Sequence, residues 1–163
     1  ILSDKFLLWR EELRRKEKEI KSKEDIESVI QKALVCRLGM ADENRPYIVP
    51  LSFGYRDGFL FFHSAKEGKK LDILRKNNKV CFEIDTDHEI AESEKACKWG
   101  MKYKSVIGFG NAFIIEDMES KKTALNVIMG HYSGRSFEFE EKEMNRFVII
   151  KVEIESMTGK KGE

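Results

Sequence analysis

Residues 45–64 read Arg-Pro-Tyr-Ile-Val-Pro-Leu-Ser-Phe-Gly-Tyr-Arg-Asp-Gly-Phe-Leu-Phe-Phe-His-Ser, and this stretch decides the fold class. Residues 46–55 read as one strand, Arg56-Asp57-Gly58 as a tight connection and 59–64 as a second strand. It is the strongest hairpin in the chain, so the sheet is antiparallel here. Pro50 has no N–H to give to a ladder, which puts it on an edge or at a bulge. An edge beside a ligand and an ordinary edge strand account for it equally well.

On the N-terminal side, 34–41 alternates around Arg37, with Cys36, Leu38 and Met40 on one side, and 42–45 is a turn. Before it, Ser22 caps a helix with Asp25 at the third position, and Ile26, Val29, Ile30 and Ala33 mark its buried face. Leu2, Phe6, Trp9 and Leu13 recur at helical spacing and predict a helical extension over 1–13. Its acids interrupt the apolar run, so it does not read as a signal peptide. From 11 to 24, charges of both signs predict a solvated stretch.

On the C-terminal side, 65–78 reads as a short helix and 79–87 as a strand with Val80, Phe82 and Ile84 on one side. A polar loop over 88–99 follows, then a long strand over 103–116. Gly108 and Gly110 inside it signal a bend or a close backbone approach. A helix over 117–132 and a last strand over 147–154 complete the order. Antiparallel strands with helices between them predict an α+β fold of the β-barrel type, one domain over 14–163.

Composition bounds the function. A chain of 163 residues, 41% hydrophobic and with 11 Phe, is long and apolar enough to bury a core. With 30 Lys and Arg against 29 Asp and Glu, the net charge of +1 argues against coating nucleic acid. No stretch approaches the ~20 apolar residues of a membrane span. Cys36, Cys81 and Cys97 form no CxxC pair. The odd, scattered set predicts reduced thiols in a cytoplasmic protein, mostly in apolar strands and buried.

The chemistry concentrates at 62–70, where a strand runs into a helix. Ser64 offers a hydroxyl, Gly68 a close backbone, and Lys69 and Lys70 cations at the helix start. An anion there would meet N–H groups, a favourable dipole end and fixed charge. Two lysines at a helix start are more often just a solvated face, and the glycine spacing is not that of a P-loop. His63, His88 and His131 could ligate a metal, but the 85–89 cluster reads better as Asx-type turns, and no metal is expected. Arg37 and Glu83 sit at comparable positions among apolar residues, open to a cross-strand ion pair or to a ligand contact.

Several segments together resemble a known family: Cys36-Arg37-Leu38-Gly39, the 45–55 strand, 61–65 with Gly68-Lys69-Lys70, 80–85 and 103–110. In order and spacing, from about residue 14 to 161, they are similar to the nitroimidazole-resistance branch of the pyridoxamine 5′-phosphate oxidase-like, FMN-binding split-barrel proteins. The His-Tyr-Ser-Gly-Arg run at 131–135 fits as well. The resemblance implies a six-stranded antiparallel split β-barrel with flanking helices, a homodimer, and FMN in grooves at its interface. It implies that Val49, Pro50, Leu51 and Ser52 line the isoalloxazine ring, and that Phe62, His63 and Ser64 lie along the ring and ribityl chain. Lys69 and Lys70 would hold the phosphate. Trp99, Tyr103 and Ser105 would approach from the loop and strand near the interface, from either subunit.

The tail at 157–161 lacks the basic motif with which the oxidases proper grip substrate phosphate, so pyridoxamine phosphate oxidation is not expected. The function implied is a flavoprotein reductase passing electrons to a small acceptor such as a nitroaromatic or quinone. The flavin would do the redox chemistry and His63 would donate a proton. No nicotinamide-binding fingerprint is present. The alternatives are a non-catalytic FMN-binding, storage or redox-sensing module, or haem or a deazaflavin in the same groove.

Overall fold

The computed structural model describes residues 15–162, so the helix expected over 1–13 lies outside the described residues. Over 15–24 the charged stretch is more ordered than its composition predicts. After a short turn, strand β1 (Glu19–Ile20) pairs with the last strand and leaves Ile20 only 9% exposed. Helix α1 (Lys23–Lys32) starts where the sequence signals it, the Ser22 hydroxyl accepting from the Asp25 N–H at 3.0 Å.

Strands β2 (Cys36–Asp42) and β3 (Arg45–Leu51) form a hairpin. The single strand expected over 46–55 is broken. The chain turns a corner at Ser52 and Phe53 and resumes as β4 (Gly54–Arg56). Phe53 is fully buried at that corner, which is what ends β3. Asp57 (φ 51°) and Gly58 (φ 82°) then make the left-handed turn into β5 (Phe59–Ala65). Helix α2 (Lys69–Lys76) is shorter than expected, because Gly68 (φ 125°) sets its start.

Strands β6 (Lys79–Ala91) and β7 (Gly100–Ile115) extend into the region expected to be a loop. Their pairing runs on through Glu89↔Lys102, Ile90↔Met101 and Ala91↔Gly100, past an irregularity between Thr86 and Glu89. Helix α3 (Met118–Ser133) is capped by Asp117, whose Oδ1 accepts from the Ser120 N–H, and ends at Gly134 in the left-handed region. A one-turn helix α4 (Glu141–Met144) leads into β8 (Phe147–Gly162). This last strand runs well past residue 154, because its polar second half pairs with both β7 and β1.

The sheet order is β3-β2-β6-β7-β8-β5-β4, with β1 added on β8 and every pairing antiparallel. The six long strands match the split-barrel expectation, and the short β1 and β4 bring the total among the described residues to eight. The inner face carries the core, including Leu38, Phe53, Phe62, Phe82, Ile84 and Ile150. Each such side chain contributes roughly 1.5–3 kcal/mol of burial. Gly108 is the close approach that the sequence signals: a Cβ there would lie 2.3 Å from the Phe82 ring. Gly54 has the same role under α3, where a Cβ would lie 2.7 Å from the helix backbone at Val127 and Ile128.

One expectation is overturned here. Cys36 is buried, but Cys81 and Cys97 are exposed. Val80, Phe82 and Ile84 take the inward positions of β6, so alternation turns Cys81 out. Among the described residues, no helix is long and apolar enough to cross a membrane.

Candidate functional site

The edge that Pro50 predicts is present. Among the described residues, strand β3 has only β2 beside it, with Pro50 opposite Arg37. Tyr47, Val49 and Leu51 lean on the core while Ile48 and Pro50 face outward, and Ser52 is exposed at the corner. The start of α2 reaches this edge, where the Lys69 ammonium lies 4.6 Å from the centroid of the Tyr47 ring. No side chain caps α2 at Gly68, and the first N–H groups of a helix have no acceptor within it. Lys70 beside them is half-buried, and desolvation holds its pKa below the ordinary lysine value. One contact, Lys69 to Tyr47, joins the start of α2 to β3; on that strand Val49 and Leu51 lean inward and Pro50 outward. Tyr47 was not singled out in the sequence; its signal there was its place two residues before Val49 on the same strand face.

The second expected group divides. Alternation in β5 turns Phe62 and Ser64 inward, leaving them 0% and 6% exposed. Phe62 is a core residue with no exposed surface to offer a ligand. His63 points outward, edge-on to Phe147 with ring centroids 6.4 Å apart. The Phe147 ring also carries the Lys121 ammonium at 4.9 Å. Lys121 is buried, donates to the Met144 carbonyl, and has its pKa lowered by desolvation.

Of the third group, Tyr103 and Ser105 lie on β7 and Trp99 just before it. Trp99 is exposed and its indole N–H donates to the Ser93 carbonyl. The Tyr103 ring covers Gly162, where a Cβ would lie 2.5 Å from it. Ser105 pairs with Asp85 on one side and Lys160 on the other. Alternation places Met101, Ile107 and Phe109 on the outer face of β7.

Beside this face, Arg37 makes the cross-strand ion pair. Its Nη1 donates to Glu83 at 2.9 Å and to Asp85 at 2.7 Å, and His88 Nε2 lies 3.0 Å from Asp85. Burial raises the Glu83 pKa, with the Asp85 charge adding to it and Arg37 opposing. At Asp85 burial also pushes upward, but Arg37 and His88 together outweigh it and the pKa is lowered. The third histidine, His131, has its Nε2 2.7 Å from the Ala33 carbonyl. A charged cavity of about 520 Å³ between α1 and the β6–β7 strands is lined by Ser22, Asp25, Lys32, Asp87 and Lys104, among others, and includes none of the expected site residues.

Among the described residues the chain is an antiparallel split barrel with a cationic helix start beside an edge strand. Within it, the pyridoxamine 5′-phosphate oxidase family model matches residues 22–161, and the chain belongs to that family. It is similar to a candidate 5-nitroimidazole antibiotic resistance protein from Bacteroides thetaiotaomicron, at 37% identity, with 87% of this chain and 85% of that one covered and a TM-score of 0.78. The fold alone is shared with a flavocytochrome from Azotobacter vinelandii (16% identity, 92% and 72% covered, TM-score 0.78). It is shared too with an FAD-binding protein from Mesorhizobium loti (23% identity, 87% and 96% covered, TM-score 0.63). An uncharacterised protein of Rhizobium meliloti is 31% identical over 65 residues, 40% of this chain, and the match spans only 42% of that relative's length.

Proposed function

We propose that the chain binds FMN along the β3 edge and works as a homodimeric reductase that passes electrons to a small acceptor such as a nitroaromatic. The contact between Lys69 and Tyr47 carries this reading, because it joins a cationic helix start to a strand edge. The residues fit the cofactor. Lys69, Lys70 and the first-turn N–H groups of α2 suit a terminal phosphate, which FMN has and FAD lacks. Val49, Pro50, Leu51 and Ser52 offer a flat, largely apolar edge for the ring. When bound, the flavin supplies the hydride and electron chemistry. The chain orients it, and His63 holds the proton delivered to the acceptor.

The likeness to the Bacteroides protein supports the nitroaromatic acceptor. The outer face supports the dimer. Ile48, Trp99, Met101, Ile107 and Phe109 are exposed there, between 39% and 61%. An apolar stripe of this kind calls for a cover, and a second copy related by a two-fold axis offers the same stripe. Trp99, Tyr103 and Ser105 would then approach the partner's flavin. The exposed thiols of Cys81 and Cys97 suit a reducing, cytoplasmic setting.

The test begins with the visible spectrum of the purified protein and titration with FMN, riboflavin and FAD. The flavin is then reduced without oxygen and a nitroaromatic is added. Rapid reoxidation supports the reductase. A bound flavin that stays reduced favours the storage or sensing module, and a protein that binds no flavin overturns the reading.

A further inference from the structure

The β2–β3 ladder ends at Cys36↔Leu51, and continuing its register by two rungs sets Leu34 opposite Phe53. Those two backbones do not bond directly. The Tyr132 hydroxyl, from the last turn of α3, stands between them. It accepts from the Phe53 N–H at 2.9 Å and donates to the Leu34 carbonyl at 2.8 Å. One side-chain oxygen thus takes the place of a ladder bond and holds the two strand ends apart by its own width. The neighbouring residue reinforces it: His131 bonds the Ala33 carbonyl through Nε2 and packs on the Phe53 ring, centroids 4.5 Å apart. A carbonyl can only accept, so Nε2 carries the proton.

We infer, resting on the flavin reading above, that Tyr132 is a positioning residue: its hydroxyl is a wedge that splays the β2–β3 ends and so shapes the ring end of the flavin groove. Ser52 sits inside this splay, one residue from the wedged N–H and at the end of the edge assigned to the ring. Without the hydroxyl, the Phe53 N–H and Leu34 carbonyl either close into the direct rung their register allows or lose their partner. Both outcomes move Ser52, and neither touches the phosphate end at Lys69 and Lys70.

The test is Tyr132→Phe. Tyr132 is 40% exposed, so removing its hydroxyl opens no core cavity. FMN and riboflavin should both bind about tenfold more weakly, by the same factor, as expected for one or two neutral hydrogen bonds. The visible circular dichroism of the bound flavin should change, and amide exchange should accelerate at Phe53. Asn126→Ala is the control. It removes a bond from the same helix, to the Phe137 N–H, that involves neither Phe53 nor Leu34, and should leave flavin binding unchanged. Wild-type affinity and an unchanged spectrum in Tyr132→Phe would overturn the wedge while leaving the flavin reading intact. Loss of FMN binding alone, or an equal loss in Asn126→Ala, would overturn it too. A wild-type protein that binds neither flavin defeats the flavin reading first, and the wedge's role with it.

Discussion

The two faces of strand β7 answer to different demands. Its inward positions, Val106, Gly108, Gly110 and Ala112, are small and buried. They are small because the Phe82 ring lies over Gly108 and the β8 backbone presses on Gly110. Its outward positions are larger: Met101, Ile107 and Phe109 are 49%, 48% and 39% exposed. The inner face is packed, whereas among the described residues the outer face keeps large apolar side chains partly exposed. Fold and function therefore separate by alternation along one strand, with the core on even positions and the proposed partner contact on odd ones.

The sharpest way to break this division is to disturb each face in turn. Phe82→Ala should lower the unfolding free energy by about 3–5 kcal/mol, since it empties the space over Gly108. Urea titration at fixed protein concentration checks it, because a dimer's stability depends on concentration. Ile107→Lys lies on the same rung of the sheet as Glu83 and should change the folded chain's own stability by only ~0.5 kcal/mol. It should nonetheless halve the mass in sedimentation equilibrium, to 19.0 kDa. A wild-type protein that stays at 19.0 kDa across micromolar concentrations with flavin bound would remove the reason for the outer stripe.

The site comes next in size of effect. A hydrogen bond to a charged group contributes roughly 1.5–3 kcal/mol. Lys69→Ala and Lys70→Ala should each weaken FMN binding about tenfold to a hundredfold and leave riboflavin nearly unchanged. Fluorescence quenching reads both. Equal losses for the two ligands would mean that the start of α2 is not the phosphate end. Lys70 adds a pH signature. Its pKa lies below the ordinary lysine value because it is partly desolvated, and only its cation attracts phosphate. FMN affinity should therefore fall with rising pH before the usual lysine range near ~10.4 is reached, and Lys70→Arg should postpone the fall.

Much of this was legible in the sequence, and the gaps have physical causes. Pro50 announced the edge strand through its missing N–H, and Ser22 with Asp25 announced the start of α1. The corner at Ser52 and Phe53 was not legible. Nothing local breaks the apolar run there; the break comes from Phe53 burying itself and from Tyr132, far along the chain, taking its N–H. The second half of β8 was missed because 155–162 is polar, and it is a strand only through its partners β7 and β1. The ribbon over 88–91 and 100–102 was missed for the same reason. At the site, the proximity of Lys69 to Tyr47 joins residues on separate elements and has no signature in spacing. The outward turn of Cys81 could have been read from Val80, Phe82 and Ile84, had alternation been weighed above composition.

The smallest effect is expected where the outer face is ionic. Arg37 holds Asp85 and Glu83 together, yet the two carboxyls shift in opposite directions. The folded Asp85 pKa lies below its unfolded value, so its contribution to stability is present above that value and is lost as pH falls through the folded one. The folded Glu83 pKa lies above its unfolded value. Its contribution is present below the unfolded value and is lost as pH rises through the folded one. In the wild type the two partly cancel through the ordinary carboxylate range near ~4. Asp85→Asn removes the first term and relieves Glu83 of a neighbouring negative charge. Relative to the variant, the wild type should lose ~0.5–1 kcal/mol as pH falls below the carboxylate range, the size expected of a half-exposed pair. Urea unfolding from pH 6 to pH 3, compared between the two proteins, measures the difference. Parallel pH profiles would mean that Arg37 does not favour the ionised Asp85 in solution, and that the outer face is held by its apolar stripe alone.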